Sequence, residues 1–362
     1  MKLGMPLKYF GADFIETVDQ LNDFEAAGVD RVMIAEAYSF DAVSLMGYVA
    51  ARTTRAELAF GILPMFSRTP TNLAMTAAGV DLISGGRCVL GVGASGPQVV
   101  EGFHGVKYDA PVARAREHVE ICRKIWRREP TEYRGKHYTL PLTPDDGGSG
   151  LGKALKIIGR PVRDRIPMGL AAIGPNNVQL AAELFEEWQP FLFYPERVDA
   201  AFGDALNAGT IRRDPALGAL GIAVQMPLLI TEADAEAEQA RQSVREHAAL
   251  YIGGMGARGN NFYNTLAARY GFPHEARLIQ DLYLSGDRAA AASSVPDDLV
   301  RGISLIGPAE HIADRLGALA RAGVTCVLAE PLASTHRDRV DQMATAKGLF
   351  ADLTIAEGSP TR

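Results

Sequence analysis

The sequence predicts an α/β protein built as a (β/α)8 TIM barrel, with insertions at the C-terminal face of its strands. Three observations carry that reading. Apolar, strand-like runs alternate along the chain with segments whose apolar residues recur at helical spacing. The runs number eight, the count that closes a parallel barrel. The G-x-G-x-x-G fingerprint that opens the first helix of a doubly wound sheet is missing after the first run, which disfavours that competing architecture.

The elements follow in order. Residues 3–7 form a short apolar run. Phe14, Val18, Leu21 and Phe24 then recur at helical spacing, and Gly28 stands where a helix C-cap belongs. RVMIAE, residues 31–36, is the second strand, followed by a helix over 43–51. ELAFGILP, residues 57–64, is the third strand, followed by a helix over 72–83. RCVLGVG, residues 87–93, is the fourth, and the helix over 114–126 sets Val119, Cys122, Ile125 and Trp126 on one face. PMGLAAI, residues 167–173, is the fifth strand, with a helix holding Leu180, Leu184 and Trp188 in line. Residues 190–193 read as a short sixth strand and 219–230 as the seventh, before a helix over 232–250. TCVLAEP, residues 325–331, is the eighth, and a helix over 339–353 closes the chain. Near-continuous apolar strands of this kind belong to a parallel sheet covered on its outer face.

The whole chain, residues 1–362, is expected to be a single domain, since barrels carry this length with insertions. Two segments break the alternation. Residues 129–164 contain the glycine-rich GGSGLG at 147–152, and residues 253–302 hold helical pieces broken by Gly and Pro. Long loops of this kind tend to serve as lids or pocket walls.

Composition narrows the function. A formal net charge of -6 without clustered Lys and Arg argues against a nucleic-acid surface. No stretch approaches the ~18 uninterrupted apolar residues of a membrane span. The N-terminal apolar run is too short for a signal peptide, so a cytoplasmic location is the default. Cys88, Cys122 and Cys326 are far apart and odd in number, which suggests neither a disulfide framework nor a metal site.

Two strand ends carry the chemistry. In LGVGASGPQ, residues 90–98, small residues follow a strand at once. Backbone N–H groups at Gly93, Ala94, Ser95 and Gly96 can approach a phosphate closely and form an anion cradle. LAAIGPNN, residues 170–177, makes the same offer through Ala171, Ala172, Ile173 and Gly174. Pro175 opens a helix there, whose free first-turn N–H groups attract an anion. Arg197, in YPER after the expected sixth strand, has a guanidinium fork suited to a phosphate or carboxylate of a substrate.

These segments, with FGILP at 60–64, EAAGVDRVMIAE at 25–36 and ISLIGPAEHIADRLGAL at 303–319, resemble the luciferase-like superfamily of flavin and deazaflavin oxidoreductases. YRGKHYTLPL at 133–142, NFY at Asn261 and DLYLSGD at Asp281 resemble its actinobacterial branch that uses coenzyme F420. The resemblance implies a small-molecule oxidoreductase that binds coenzyme F420, with FMN as the alternative cofactor, and a homodimer. It implies a non-prolyl cis peptide at Gly61-Ile62 behind the central flavin ring. It implies that residues 93–96 hold the cofactor tail and that residues 171–175 form the opposing wall. Trp126 and Phe185 read as outward apolar residues available to the dimer.

The chain departs from the superfamily's alcohol and sugar-phosphate dehydrogenases. Where those carry an Asp-His pair closing strand two, this sequence reads Glu36-Ala37, followed by Tyr38. Gly96 stands where they carry a glutamate in the cofactor loop, so glucose-6-phosphate oxidation is disfavoured. Glu36 can serve as an acid or base, or only as a structural carboxylate, and Tyr38 can donate a proton. His104 and His137 fall in loops near the expected cofactor face, whereas His118, His247 and His311 read as surface or packing residues within helices. Three functions stay open: F420-dependent hydride transfer, an FMN-dependent monooxygenase, and a cofactor-binding barrel without turnover.

Overall fold

The computed structural model describes residues 1–8 and 13–358, with side chains as far as residue 351. Among the described residues, eight parallel strands close a barrel: β1 (Lys2–Leu7), β2 (Arg31–Ile34), β3 (Glu57–Phe60), β4 (Cys88–Gly93), β5 (Met168–Ala171), β6 (Glu187–Gln189), β7 (Gly221–Ile230) and β8 (Cys326–Pro331). Each pairs in parallel with the next. The ring closes because β8 also pairs with β1, setting Gly4 opposite Leu328, and β7 pairs with β6, setting Gly221 opposite Glu187. The open-sheet alternative is therefore excluded. A short strand, Leu305–Gly307, extends the far end of β7.

Side-chain alternation sorts the strands into two faces. The outward set, with Leu3, Val32, Leu58, Leu90, Leu170, Trp188, Val224 and Val327, packs under the surrounding helices as the main core. The inward set fills the barrel in layers. Met33, Ala59, Val89, Ala223, Cys326 and Leu328 form a separate apolar plug. One register step nearer the strand starts, Arg31 is buried between two carboxylates: Nη1 lies 2.5 Å from Glu187 and Nη2 2.9 Å from Glu57. Burial alone would lower the Arg31 pKa, but Glu187 and Glu57 outweigh it and raise the value.

That polar layer explains one correction to the sequence reading. The sixth strand is Glu187–Gln189 rather than 190–193, and Trp188 belongs to it rather than to the preceding helix, Pro175–Leu184. Glu187 and Gln189 point into the barrel, where Gln189 donates to Glu187 at 2.9 Å. An outward tryptophan between two inward polar residues lacks the apolar run by which a parallel strand is recognised.

The two insertions differ in placement. Residues 129–164 join a helix to its next strand, not a strand to its helix. They fold back along the outside of helix Pro111–Trp126, where Glu117 accepts N–H bonds from Lys136, His137 and Tyr138. The second insertion lies between β7 and the helix that leads back to β8, Ala309–Arg321. Helix Asp234–Ala249, read as that crossover, instead begins this excursion and ends in a π-helical turn, Leu250–Gly254. Among the described residues, no helix is long and apolar enough to cross a membrane.

Candidate active site

The C-terminal ends of the strands form the barrel mouth. β3 stops at Phe60 and resumes as Leu63–Pro64, which pairs with Val92 and Gly93 of β4. The interruption contains a cis peptide bond at Gly61-Ile62. The ladder continues across it: Gly61 N–H donates to Ile34 O at 2.9 Å, and Ile62 O accepts from Glu36 N–H at 3.0 Å. Gly61 lies against the Met33 thioether and Gly91 against the Phe60 carbonyl, so neither position has room for a Cβ. Of the two, Gly91 of β4 is the stricter requirement, because it meets backbone, whereas Gly61 meets a flexible side chain.

The two small-residue loops stand beside that irregularity. A Cβ on Gly93 would meet Ile62 at 2.9 Å and Ala171 at 3.6 Å, which places both strand ends against one another. Ser95 has φ +54, a left-handed conformation that turns neighbouring N–H groups toward one side, as in an anion nest. Gly96 precedes the short helix Pro97–Val100, and Gly174 is the N-cap of helix Pro175–Leu184. Neither helix start receives a side-chain cap. No atom lies within 4 Å of where a Cβ on Gly96 or Gly174 would stand. The Ala172 carbonyl accepts the Trp188 indole N–H at 2.8 Å, and the Ile173 carbonyl accepts from Arg269 at 3.0 Å. Those bonds fix the second loop from behind. Uncapped N–H groups bordering open space suit an anionic cofactor tail.

Glu36 follows β2, as expected, but its carboxylate is engaged on both oxygens. Arg68 donates to Oε1 at 2.5 Å and to Oε2 at 2.9 Å, and Ala42 N–H donates to Oε2 at 2.8 Å. Arg68 also reaches Asp41 at 2.9 Å, and Asp41 caps helix Ala42–Arg52 through Ser44 N–H. Burial tends to lower the Arg68 pKa, but Glu36 and Asp41 together raise it. Tyr38 is exposed, its ring 6.1 Å from Phe103. Arg197 is exposed, and its backbone N–H donates to Tyr194 O at 3.0 Å.

The opposite side of the mouth holds residues that the sequence reading did not select. Phe191 follows β6, while His247 and Tyr251 end the helix after β7 and its π-turn. Tyr263 lies on helix Phe262–Arg269. Their rings pack together, with Phe191 at 4.6 Å from Tyr251 and His247 at 4.9 Å from Tyr251. Glu330, near the end of β8, acts on His247 and lies 3.8 Å from Lys8. A carboxylate near the C-terminal end of a barrel strand was a readable signal in TCVLAEP. The ring cluster was not readable, because its members are up to 72 residues apart.

The class the fold defines is a closed parallel (β/α)8 barrel, here with two uncapped small-residue loops beside an interrupted third strand. The family model for luciferase-like monooxygenases matches residues 2–326, and the chain belongs to that family. Among curated relatives, Rv3520c of Mycobacterium tuberculosis, provisionally named a coenzyme F420-dependent oxidoreductase, is 38% identical over 91% of this chain and 94% of its own. The 5,10-methylenetetrahydromethanopterin reductase of Archaeoglobus fulgidus is 26% identical over 84% of this chain and 86% of its own. Among solved structures, the coenzyme F420-dependent tetrahydromethanopterin reductase of Methanopyrus kandleri superposes with a TM-score of 0.76. That match covers 95% of this chain and 97% of the other at 19% identity, a likeness of fold.

Proposed function

We propose that this chain is a coenzyme F420-dependent oxidoreductase acting on a small organic substrate. The observation that carries the proposal is the convergence of two uncapped, open loops, residues 93–96 and 171–175, on the Gly61-Ile62 peptide. The names of the relatives favour the deazaflavin over FMN. When bound, the cofactor supplies hydride transfer; the protein supplies placement and electrostatics. Ser95 and Gly96 hold the anionic tail through backbone N–H groups, and Gly174 and Pro175 open the helix start opposite. Gly61 and Ile62 shape the floor under the ring system. Glu36, tied to Arg68 and to Ile62 O, acts as a positioning residue for that floor, and Tyr38 and Arg197 contribute at the rim.

Two further features complete the proposal. Three buried free thiols suit a cytoplasmic setting. The chain forms a homodimer, although not through Trp126 and Phe185, which are buried in its own core. Its most exposed aliphatic side chains include three on the first insertion: Leu151, Leu155 and Ile158 are 83%, 71% and 96% exposed, and Leu82 and Ile83 of helix Pro70–Ser84 are exposed as well. Arg163 ties the two segments together through its ion pair with Asp81.

The test is affinity for coenzyme F420, read by its fluorescence. Ser95→Asp places a charge where the tail must sit, and aspartate tolerates the left-handed backbone. Gly174→Val fills open space at an extended φ of −82, so the fold should survive. Each variant should bind at least tenfold more weakly, as the loss of one charge-assisted bond of about 1.5–3 kcal/mol implies, with little change in melting temperature. Wild-type affinity in both variants would overturn the site.

A further inference from the structure

The wall opposite the cofactor loops is built from packed rings. Phe191, Tyr251 and Tyr263 are each half-buried and pack against the edge of the main core, so the cluster keeps some exposed surface. Its members meet tilted or edge-on: Phe191 to Tyr263 at 5.9 Å and 82°, Tyr251 to Tyr263 at 4.8 Å and 81°, and His247 to Phe191 at 5.8 Å and 67°. A cage for an organic cation needs rings standing apart around an empty centre. These rings pack on one another instead, beside the C-terminal ends of β6 and β8, an apolar, ring-rich lining that suits a flat π-system.

The backbone holds that wall in place. Tyr251 sits in the π-helical turn Leu250–Gly254, a rare conformation frequent at functional sites. The carbonyls it releases are taken by the buried Asn261, whose Nδ2 donates to Tyr251 O at 2.9 Å and Ile252 O at 3.0 Å. Asn261 Oδ1 accepts from Tyr263 N–H and Asn264 N–H, so one side chain fixes two of the rings. Gly253 and Gly254 pack on Tyr283 without room for a Cβ, which ties the turn down from behind.

His247 is the member of the wall with the most exposed side chain. His247 has an open edge, while its ring is packed between Phe191 and Tyr251. That packing lowers its pKa against the pull of Glu330. Lys8 lies 3.8 Å from Glu330 and offsets the carboxylate's charge, and among the described residues the other titratable groups packed against the ring are Tyr251 and Tyr263, phenols that are neutral near pH 7. Among the described residues the wall therefore presents no net negative charge to attract a cation, and it offers an exposed imidazole that can donate to an oxygen, beside the tyrosine hydroxyls.

We infer that the wall of Phe191, His247, Tyr251 and Tyr263 is the substrate site, and that it selects a planar, conjugated carbonyl compound whose π-system lies on the rings and whose oxygen accepts from His247. This rests on the reading of the barrel mouth as the active site. The test uses the purified protein without added cofactor and two ketones of similar size: trans-4-phenyl-3-buten-2-one, which is flat and conjugated, and 4-cyclohexylbutan-2-one, which is neither. Binding is followed by tyrosine fluorescence and by the His247 imidazole resonances.

The flat ketone should bind at least tenfold more tightly and shift the His247 signals. Tyr251→Leu should abolish that preference, whereas Tyr251→Phe, which keeps the ring, should retain it. Equal binding of the two ketones, no detectable binding of either, a static His247 signal, or an unchanged preference in Tyr251→Leu would each overturn the inference. Coenzyme F420 titrated into the same samples separates the two claims. Tyr251→Leu should bind it as wild type does, and failure of wild type to bind it would count against the proposed function and not against the ring wall.

Discussion

Glu36 shows how a single residue can be legible in position and hidden in role. An acid ending the second strand is visible in RVMIAE, and the missing histidine beside it is equally plain. Its partner is not visible, because Arg68 lies 32 residues further on and only the closed barrel brings it near. With both oxygens hydrogen-bonded to Arg68 and one also to Ala42 N–H, the carboxylate works as an anchor. Glu36→Gln should cost about 1.5–3 kcal/mol in urea denaturation, the range for a hydrogen bond to a charged group. The pH profile of kcat/KM should keep its shape. A variant of unchanged stability whose profile loses one ionisation limb would make Glu36 an acid or base instead. Gly61, Gly93 and Gly96, part of the proposed cofactor site, were easier to single out, since a missing side chain is written in the sequence itself.

At the scale of elements, long apolar strands and helices with regular spacing were readable, while β6 and the π-turn were not. β6 disguises itself because two of its three residues are polar and point inward, Glu187 to the buried Arg31 and Gln189 to Glu187. The π-turn depends on Asn261, which lies beyond it in sequence and caps a different helix. The entry to β3 is another junction that only the fold reveals. Glu25 accepts N–H bonds from Thr54 at 3.0 Å, Arg55 at 2.8 Å and Ala56 at 2.7 Å. Burial would raise its pKa, but those backbone donors outweigh burial and lower it. A depressed carboxylate pKa contributes stability that is complete above the unfolded value, about 4.3, and is lost as pH falls through the folded value. The stability gap between wild type and Glu25→Gln should therefore narrow on acidification below about pH 4. A gap that stays constant from neutral pH to about pH 3 would show that the carboxylate's charge plays no part.

For the whole molecule, barrel closure divides the mouth into two walls of different chemistry. Strands β3 to β5 supply backbone donors and glycines; β6 to β8 and the second insertion supply rings, an imidazole and a carboxylate. The first insertion stays outside this arrangement and carries apolar side chains into solvent, the feature assigned to the dimer. Ile158→Asp should shift the protein toward monomer in analytical ultracentrifugation at micromolar concentration, with its melting temperature little changed. A wild-type protein already monomeric under those conditions would refute the dimer.

The central claim, a deazaflavin site built from the Gly61-Ile62 floor and the two small-residue loops, is tested most directly by cofactor choice. Coenzyme F420, FMN and FAD are titrated separately into the purified protein freed of cofactor, and the three dissociation constants are compared. Coenzyme F420 should bind at least tenfold more tightly than either flavin, a difference of about 1.4 kcal/mol or more. Tighter binding of FMN, or no binding of any of the three, would contradict it.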